Sequence, residues 1–523
     1  MTTLCLTFAP RIGGLIVIAA RLIVLAACLQ ACRPSPKPPG SIVVLTESPI
    51  TRLDPRFALG AWEVRVSRLV APGLTMPGYA PGEAGLAEHV NFVDASHVEV
   101  ALRPDARFSS GRPVTAADVA FTFTSVLDPA LQSPYRAALA ETLEAVQVLD
   151  ERRVLFVLKV PRASFTADLQ MGIVDRLAGG ASVIGAGPFM SKNLATDRVE
   201  LVANPFAAMR PKLSLIVRTI RDDNARIIAL LGRSGDVILN GITPQVLPSL
   251  QAHQDLRITT APSATITYLG FNLSDPLLSN PKVRRAIALA INKDELIASR
   301  LANQAAAADS LLSTDNPFYS PSPQLHFDPA RAKRLLDEAG FPDPDGAGPA
   351  ARFSLVWKSS NNRFRMSVAE AIAQQLKDVG IVVHVRAYEF ATLMQDLRRG
   401  NYQLFSLQLT DVYEPDWLRS TFHSTRIPTQ GNGWSGLNRF GFADPQVDAL
   451  LVAASSSLDF ETRRRLYAEV QARVAEALPC VPLWHEHNVL VTSRSLFAVP
   501  PPRTGGLEVL LQAQMLPPGP QSR

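Results

Sequence analysis

The sequence of 523 residues predicts a mixed α/β fold, and three observations support that prediction. Residues 97–103 alternate between apolar and polar side chains, which is the pattern of a half-buried strand. Val119, Phe123 and Val126 then recur at helical spacing. Further along, predicted helices and strands alternate in the order 366–379, 381–387, 390–399 and 402–409. Such alternation is typical of α/β domains.

The remaining elements follow from the same two periodicities. In chain order they are a strand at 41–46, a helix at 62–69, two strands of a hairpin at 145–150 and 153–159, a strand at 353–357 and a long helix at 460–478. Within the hairpin, Val154, Phe156 and Leu158 alternate with their neighbours. A glycine ends the predicted helix 366–379, because glycine adopts the left-handed conformation at which helices stop.

The helix after residue 115 has a recognisable start and end. Thr115 and Asp118 have the spacing of a capping box, in which the hydroxyl binds a free amide and the carboxylate reaches back to the cap. Asp128 precedes Pro129, and a residue before proline avoids the helical conformation. We therefore expect a helix between these two points.

Size, composition and charge exclude some functions. The chain is long enough for two or three domains with substantial cores. Hydrophobic residues make up 47% and charged residues 19% of the sequence, and the net charge is +5. We see no long run of Lys or Arg, which argues against a nucleic-acid partner.

The amino terminus has the features of a secretory signal over residues 1–31. Arg11 and Arg21 are its only charges, and the apolar runs around Arg21 are too short to span a membrane. Either Cys28 or Cys32 fits a lipoprotein processing site. We favour Cys32, because a Pro-rich tether at 32–40 follows it. The alternative is a cleaved signal that releases a soluble protein.

Cysteine usage leaves little scope for disulfides or metal clusters. The four cysteines are Cys5, Cys28, Cys32 and Cys480, and processing at Cys32 would leave Cys480 as the single free thiol. Cys480 lies in an apolar stretch, and we expect a small core residue there.

Several motifs occur in a characteristic order. The longest is LRPDARFSSGRPVTAADVAFTFTSVLDP at 102–129, followed by GAGPF at 185–189. YLGFN at 268–272 precedes NPKVRRAIALAI at 280–291, and DPARAKRLLDEAG occupies 328–340. Together these motifs resemble those of the extracytoplasmic solute-binding proteins of ABC transporters, in the family that binds dipeptides, oligopeptides or nickel.

This resemblance implies the type II periplasmic binding fold, with two α/β lobes around a cleft and one additional domain. The implied boundaries are a signal peptide at 1–31, a tether at 32–40, lobe I at 41–75, 185–270 and 479–512, the extra domain at 76–184, lobe II at 271–478 and a tail at 513–523.

The resemblance also implies a function. We expect a monomeric substrate-binding lipoprotein, anchored outside the cytoplasm, that captures a peptide or peptide-like solute. It would deliver that solute to the permease and ATPase subunits of an ABC importer. No catalytic residue, cofactor or resident metal is implied.

Asp411 is the first candidate binding residue. A carboxylate at a strand end beside aromatic residues can pair with a cation in a closing cleft, where the low dielectric strengthens the interaction. In peptide-binding members, the aspartate of a W-x-x-D motif receives the ligand's α-amino group, and Asp411 matches that position. The alternative is a strand-end aspartate that bonds to its own loop. Gln408 replaces the tryptophan. We expect the neighbouring Glu414 and Asp416 to be solvated loop charges.

Five further residues are candidates for ligand contact. Arg363 and Arg365, placed just before the helix 366–379, could grip a carboxylate in bidentate fashion, or lie on the surface. Tyr268 and Asn272 could line a pocket, or belong to the core or rim. Trp434 lies in a Gly/Asn loop that can present its indole to a ligand.

Two other functions are weaker alternatives. A secreted hydrolase lacks support, because neither a G-x-S-x-G nor an HExxH motif is present. A nickel, haem or other non-peptide solute receptor on the same fold would need metal or cofactor ligands. His485 and His487 have the i, i+2 spacing that places two side chains on one face of a strand.

Overall fold

The computed structural model describes residues 37–78, 85–178, 183–322, 325–346 and 348–516. The predicted signal peptide and its candidate lipidation sites, Cys28 and Cys32, lie outside these residues. Every helix of the described ranges is too short or too polar to cross a bilayer.

Strands and helices are numbered in chain order. The strands are β1 (Ser41–Thr46), β2 (Ala87–Asp94), β3 (His97–Leu102), β4 (Leu143–Val148), β5 (Arg153–Leu158), β6 (Phe189–Ala195), β7 (Arg198–Ala203), β8 (Ser214–Thr219), β9 (Val237–Leu239), β10 (Leu256–Phe271), β11 (Ala305–Ala307), β12 (Phe353–Ser360), β13 (Ile381–Tyr388), β14 (Leu404–Leu409), β15 (Cys480–Ser493), β16 (Leu496–Phe497) and β17 (Gln514–Met515). The helices are α1 (Ala61–Val70), α2 (Ala116–Leu127), α3 (Arg136–Thr142), α4 (Phe165–Asp168), α5 (Asp223–Leu231), α6 (Leu247–Gln251), α7 (Pro281–Leu289), α8 (Lys293–Leu301), α9 (Pro329–Glu338), α10 (Arg363–Lys377), α11 (Phe390–Arg398), α12 (Trp417–Phe422), α13 (Pro445–Ser456) and α14 (Phe460–Ala477).

One large sheet runs through most of the described chain, in the order β13-β12-β14-β10-β15-β9-β1-β8-β7-β6. The two longest strands, β10 and β15, pair antiparallel at its middle. We call them the crossing strands, because they connect the strands β6–β9 and β1 on one side with β12–β14 on the other. The first side is lobe I and the second is lobe II.

Lobe I is organised around β1, which is buried on both faces and pairs in parallel with β8 and β9. Ile42 and Val44 pack into one core with α1, whereas Val43 and Leu45 pack into a second core with α5. This alternation is what a strand covered on both faces requires.

Lobe II repeats the arrangement with a different set of strands. β12 pairs in parallel with β13 and β14. One apolar core on this lobe contains Trp357 and Leu355, and another contains a group of aromatic rings in which Phe405 stacks on Phe440. Helices cover both faces, which is the usual way to bury a parallel sheet.

A separate four-stranded sheet, β2-β3-β5-β4, forms a small domain with its own core. Phe156 contacts the rings of Phe123 and Phe165 at centroid distances of 4.9 and 5.3 Å. The predicted capping box is confirmed, since the backbone amide and the hydroxyl of Thr115 both donate to Asp118, at 3.0 and 2.6 Å.

Between the lobes, each crossing strand passes from the core of one lobe to the core of the other. On β10, Ile258 packs in lobe I and Ile266 in lobe II. On β15, Trp484 packs in lobe II and Leu490 in lobe I. Between these points the register shifts, which indicates a bulge. A short polar stretch of this kind, placed between two cores, has the position of a hinge.

The structure corrects the expected start of α10 and the expected exposure of Asp416, and it confirms the burial of Cys480. Helix α10 begins at Arg363, with Asn362 as its N-cap, so the two arginines lie in the first turn rather than before the helix. Asp416 is not a solvated charge, because only 7% of it is exposed. Cys480 is buried in the lobe II core as predicted.

Glu414 is also not a free loop charge. It forms an ion pair with Arg463, and burial raises its pKa. The burial of Glu414 and Asp416 could not be predicted from the local sequence, because their partners lie far away in the chain. The domain boundaries remain predictions.

Candidate functional site

A cleft lies directly over the polar stretch of the crossing strands. It contains about 1580 Å³ of space free of protein atoms, part of it open to solvent. Its floor comes from β10 and β15, one wall from lobe I and the other from lobe II. A space between two lobes joined by two strands can close when the strands bend.

The lobe I wall includes a turn that is tied to the floor. Asn240 donates to the side chain of Asn488 at 2.8 Å, and its own amide oxygen accepts from the backbone of Val489 at 2.8 Å. Asn240 has a φ of 56°, a conformation that asparagine tolerates well. The buried guanidinium of Arg226 donates twice to the carbonyl of Gly241, so the turn is held from both ends.

Three charged or aromatic residues complete this wall. The indole of Trp62 donates to Oε1 of Glu47 at 2.9 Å, and the guanidinium of Arg65 lies 5.7 Å from the centre of the Trp62 ring. The other oxygen of Glu47 is shielded from solvent and receives no hydrogen bond from the described residues. Glu47 and Arg65 both line the cleft.

The floor carries a polar triad on three neighbouring strands. Thr267 on β10 lies directly opposite Gln408 on β14. Both donate to the carboxylate of Glu486 on β15, Thr267 to Oε1 at 2.9 Å and Gln408 to Oε2 at 2.6 Å. A negative charge is therefore fixed at the base of the cleft.

The two clustered histidines do not share a site. His487 lines the cleft, and burial lowers its pKa. His485 packs against lobe II, where its Nε2 lies 3.1 Å from the carbonyl of Ser310, and burial lowers its pKa as well. Across the described ranges, no group of three or more His, Cys, Asp and Glu side chains could hold a metal ion.

Of the two predicted arginines, only Arg365 lines the cleft. It projects from the first turn of α10 on the lobe II wall, and no carboxylate of the described residues lies within 4 Å of it. Arg363 is exposed and is not part of the cleft lining.

Asp411 lies at the edge of the cleft, one residue beyond Thr410, which lines it. Its φ of 59° turns the chain sharply after β14. The hydroxyl of Tyr413 is 3.2 Å from Oδ1 of Asp411 and also 3.2 Å from the carbonyl of Arg503. Asp411 therefore faces the junction of lobe II with the C-terminal segment that returns to lobe I.

The other three predicted residues lie away from the cleft lining. Tyr268 is only 4% exposed and contacts the rings of Phe405 and Phe440. The side-chain amide of Asn272 donates to two backbone carbonyls, those of residues 400 and 402. Trp434, with 37% of its surface exposed, lies in a surface loop of lobe II.

The sequence analysis missed Glu47, Arg65 and Glu486. For Glu486 a signal was available, because the polar segment HEHN interrupts an otherwise apolar strand, and such a segment has to leave the core. For Glu47 and Arg65 no local pattern distinguishes a cleft residue from a surface residue.

This arrangement suits the binding of a small charged molecule. Fixed charges of both signs face a space whose walls belong to separate lobes, so a bound molecule can be enclosed and released by closure and opening. Carboxylates and guanidinium groups in such a cleft can recognise the two ends of a zwitterion.

Comparison with known proteins identifies the family. Residues 83–428 match the family model described as bacterial extracellular solute-binding proteins, family 5 Middle. The oligopeptide-binding protein AppA of Bacillus subtilis is 25% identical over 446 residues, which cover 79% of each chain.

Solved structures share the fold. CtaP of Listeria monocytogenes, an ABC transporter substrate-binding protein, superposes with a TM-score of 0.79 at 22% identity, over 92% of this chain and all of that one. The structure of B. subtilis AppA with a nonapeptide has a TM-score of 0.75 at 21% sequence identity, and the match covers 91% of this chain and 99% of that one. The structure of NikZ of Campylobacter jejuni with Ni(L-His) has a TM-score of 0.73 at 22% identity, and the match covers 88% of this chain and 95% of that one.

The fold is thus the two-lobed periplasmic binding fold with an additional domain. The chain belongs to the bacterial extracellular solute-binding proteins of family 5.

Proposed function

We propose that this protein captures a peptide or peptide-like solute in the cleft and delivers it to the permease of an ABC importer. The observation that carries the proposal is the position of the cleft, directly over the stretch where β10 and β15 leave one core and enter another. AppA, which is similar over most of the chain, is an oligopeptide-binding protein and holds a nonapeptide in its structure.

At the edge of the cleft, Asp411 would receive the α-amino group of the solute, and Arg365 on the lobe II wall would receive a carboxylate. Asp411 is exposed beside the junction of the lobes, and Arg365 has no ion-pair partner among the described residues. The attraction between these side chains and a charged solute is strongest when closure excludes water and lowers the dielectric constant around them. Trp434 remains a candidate for the rim of the site.

The protein would act outside the cytoplasm as a lipid-anchored monomer. The sequence supports a lipid on Cys32, with the Pro-rich tether separating the lobes from the membrane surface. The partners would be the permease and ATPase subunits of the importer.

No chemical step is part of the proposal. The solute would be released unaltered, because binding and closure are sufficient for delivery. Incubation of bound peptide with the protein, followed by mass spectrometry, should return the intact peptide.

Isothermal titration calorimetry with a peptide library tests the proposal. We expect stoichiometric binding of one peptide per chain and a change in the fluorescence of Trp484, which lines the cleft floor. Parallel titrations with Ni²⁺, Ni²⁺ plus L-histidine, and haem address the non-peptide alternative, because the similar NikZ holds Ni(L-His). Binding of one of these ligands with no binding of any peptide would contradict the proposal.

A further inference from the structure

The carboxylate of Glu486 is the best-positioned fixed charge in the cleft. Its backbone carbonyl accepts a hydrogen bond from Ser263 at 2.7 Å, and the residue pairs with Ala305 of β11. Its side chain is held by Thr267 and Gln408, as described above. Because main chain and side chain are both restrained, the charge is presented in one orientation.

Glu486 is hydrogen-bonded but not neutralised. Its two partners are a hydroxyl and an amide, and neither carries a charge. Among the described residues, no Lys, Arg or His nitrogen lies within 4 Å of it. Each carboxylate oxygen has two lone pairs, so each can still accept another hydrogen bond.

Glu47 provides a second carboxylate on the lobe I wall. Its Oε1 is bound by Trp62, whereas its Oε2 is shielded from solvent without a donor. A buried acceptor without a donor is unfavourable, and a donor supplied by a ligand would remove that cost. This oxygen packs against Gly241, next to the residue Asn240 that is bonded to Asn488 on β15. Glu47 and Glu486 both line the cleft, Glu47 on the lobe I wall and Glu486 on the floor.

The cationic residues of the cleft do not cancel this charge. Arg226 is already bound to Asp223 and to several backbone carbonyls. Arg65 lies over the Trp62 ring and more than 4 Å from the Glu47 carboxylate. Arg365 projects from the opposite wall.

We propose that Glu486, together with Glu47, receives a second cationic group of the solute, and that the protein therefore selects peptides with a Lys or Arg side chain. The inference rests on the proposed function, since it concerns the specificity of the same cleft. Gln408 serves as a positioning residue for Glu486, because its amide donates to Oε2 of that carboxylate.

Calorimetry with matched tripeptides tests this specificity. The peptides are trialanine derivatives in which each position in turn carries lysine or norleucine, which is similar in length but uncharged. We expect a lysine peptide to bind the wild type about tenfold or more tightly than its norleucine partner, as for a charge-assisted hydrogen bond in a closed cleft. Glu486→Gln should remove this preference, because the lysine peptide then binds about as weakly as its norleucine partner.

Glu461→Gln is the matched control, because Glu461 is exposed on α14. It should retain the full preference for lysine. Glu47→Gln should reduce the preference and provides a second test if Glu486→Gln does not fold. Peptide binding without any preference for lysine in the wild type would overturn the inference but leave the proposed function intact. No binding of any peptide would overturn both.

Discussion

The hydroxyl of Ser164, in the small domain, lies 2.6 Å from Oδ2 of Asp416, in lobe II. The two residues are 252 positions apart in the chain. Oδ1 of the same carboxylate accepts a hydrogen bond from the hydroxyl of Tyr467 at 3.0 Å, and Nε of Arg162 lies 3.4 Å from Oδ2. A buried carboxylate thus connects two parts of the fold.

Replacing Asp416 should weaken this connection. Asp416→Ala would leave the hydroxyl groups of Ser164 and Tyr467 without this acceptor and remove one ion-pair partner of Arg162. We expect the free energy of unfolding to fall by about 3 kcal/mol. Urea denaturation measures the change. The control is Asp255→Asn, since Asp255 is exposed and should contribute less than about 0.5 kcal/mol. Equal effects of the two variants would show that the connection adds no stability.

The stability of the small domain should fall at acid pH, because Asp118 becomes protonated there. Burial alone raises the pKa of Asp118, but hydrogen bonds from Arg112 and Thr115 outweigh it and hold the pKa below its usual value of 3.8. A lowered pKa in the folded state gives stability that is complete above about pH 4 and is lost as the pH falls through the lowered pKa.

Denaturation curves of wild type and Asp118→Asn between pH 2 and pH 7 measure this dependence. We expect Asp118→Asn to be less stable at neutral pH, with the difference shrinking towards pH 2. A difference that stays constant over the whole range would contradict the assigned role.

Gly270 on β10 should tolerate no side chain. A Cβ at this position would lie 2.4 Å from the ring of Phe405, in the aromatic core of lobe II. We expect Gly270→Ala to lower the free energy of unfolding by about 1–3 kcal/mol through overpacking. Gly431→Ala is the control, because the nearest atom to its Cβ would be 3.8 Å away. A thermal melt of Gly270→Ala that matches the wild type would contradict this packing.

Asp411 should determine the affinity for a free amino terminus. A peptide that binds the wild type should bind Asp411→Ala at least about tenfold more weakly, as expected for the loss of a charge-assisted contact. N-acetylation of the peptide should weaken wild-type binding similarly and have little further effect on the variant. Unchanged affinity in Asp411→Ala would remove the proposed amine contact.

Much of the fold could be predicted from the sequence, because most elements carry a local pattern. The strand at 97–102, the cap at Thr115 and the helix Phe460–Ala477 depend on residues close in the chain. The start of α10 was predicted three residues too late, because the N-cap Asn362 precedes the amphipathic part of the helix.

The cleft was less predictable, because its residues come together only through the crossing strands. Of the six predicted contact residues, Arg365 lines the cleft and Asp411 lies at its edge. Tyr268 was not distinguishable from a cleft residue, because alternation along β10 shows which residues share a face but not what covers that face. Glu486 and Glu47 are separated by most of the chain, and no sequence spacing connects them.

Native mass spectrometry of the protein purified from its own host tests the central claim most directly. We predict that a fraction of the molecules carries one additional mass, that denaturation releases it, and that fragmentation identifies an intact peptide or peptide-like molecule. Release of a cleaved product, or a carried molecule that is not displaced by any peptide, would contradict the account.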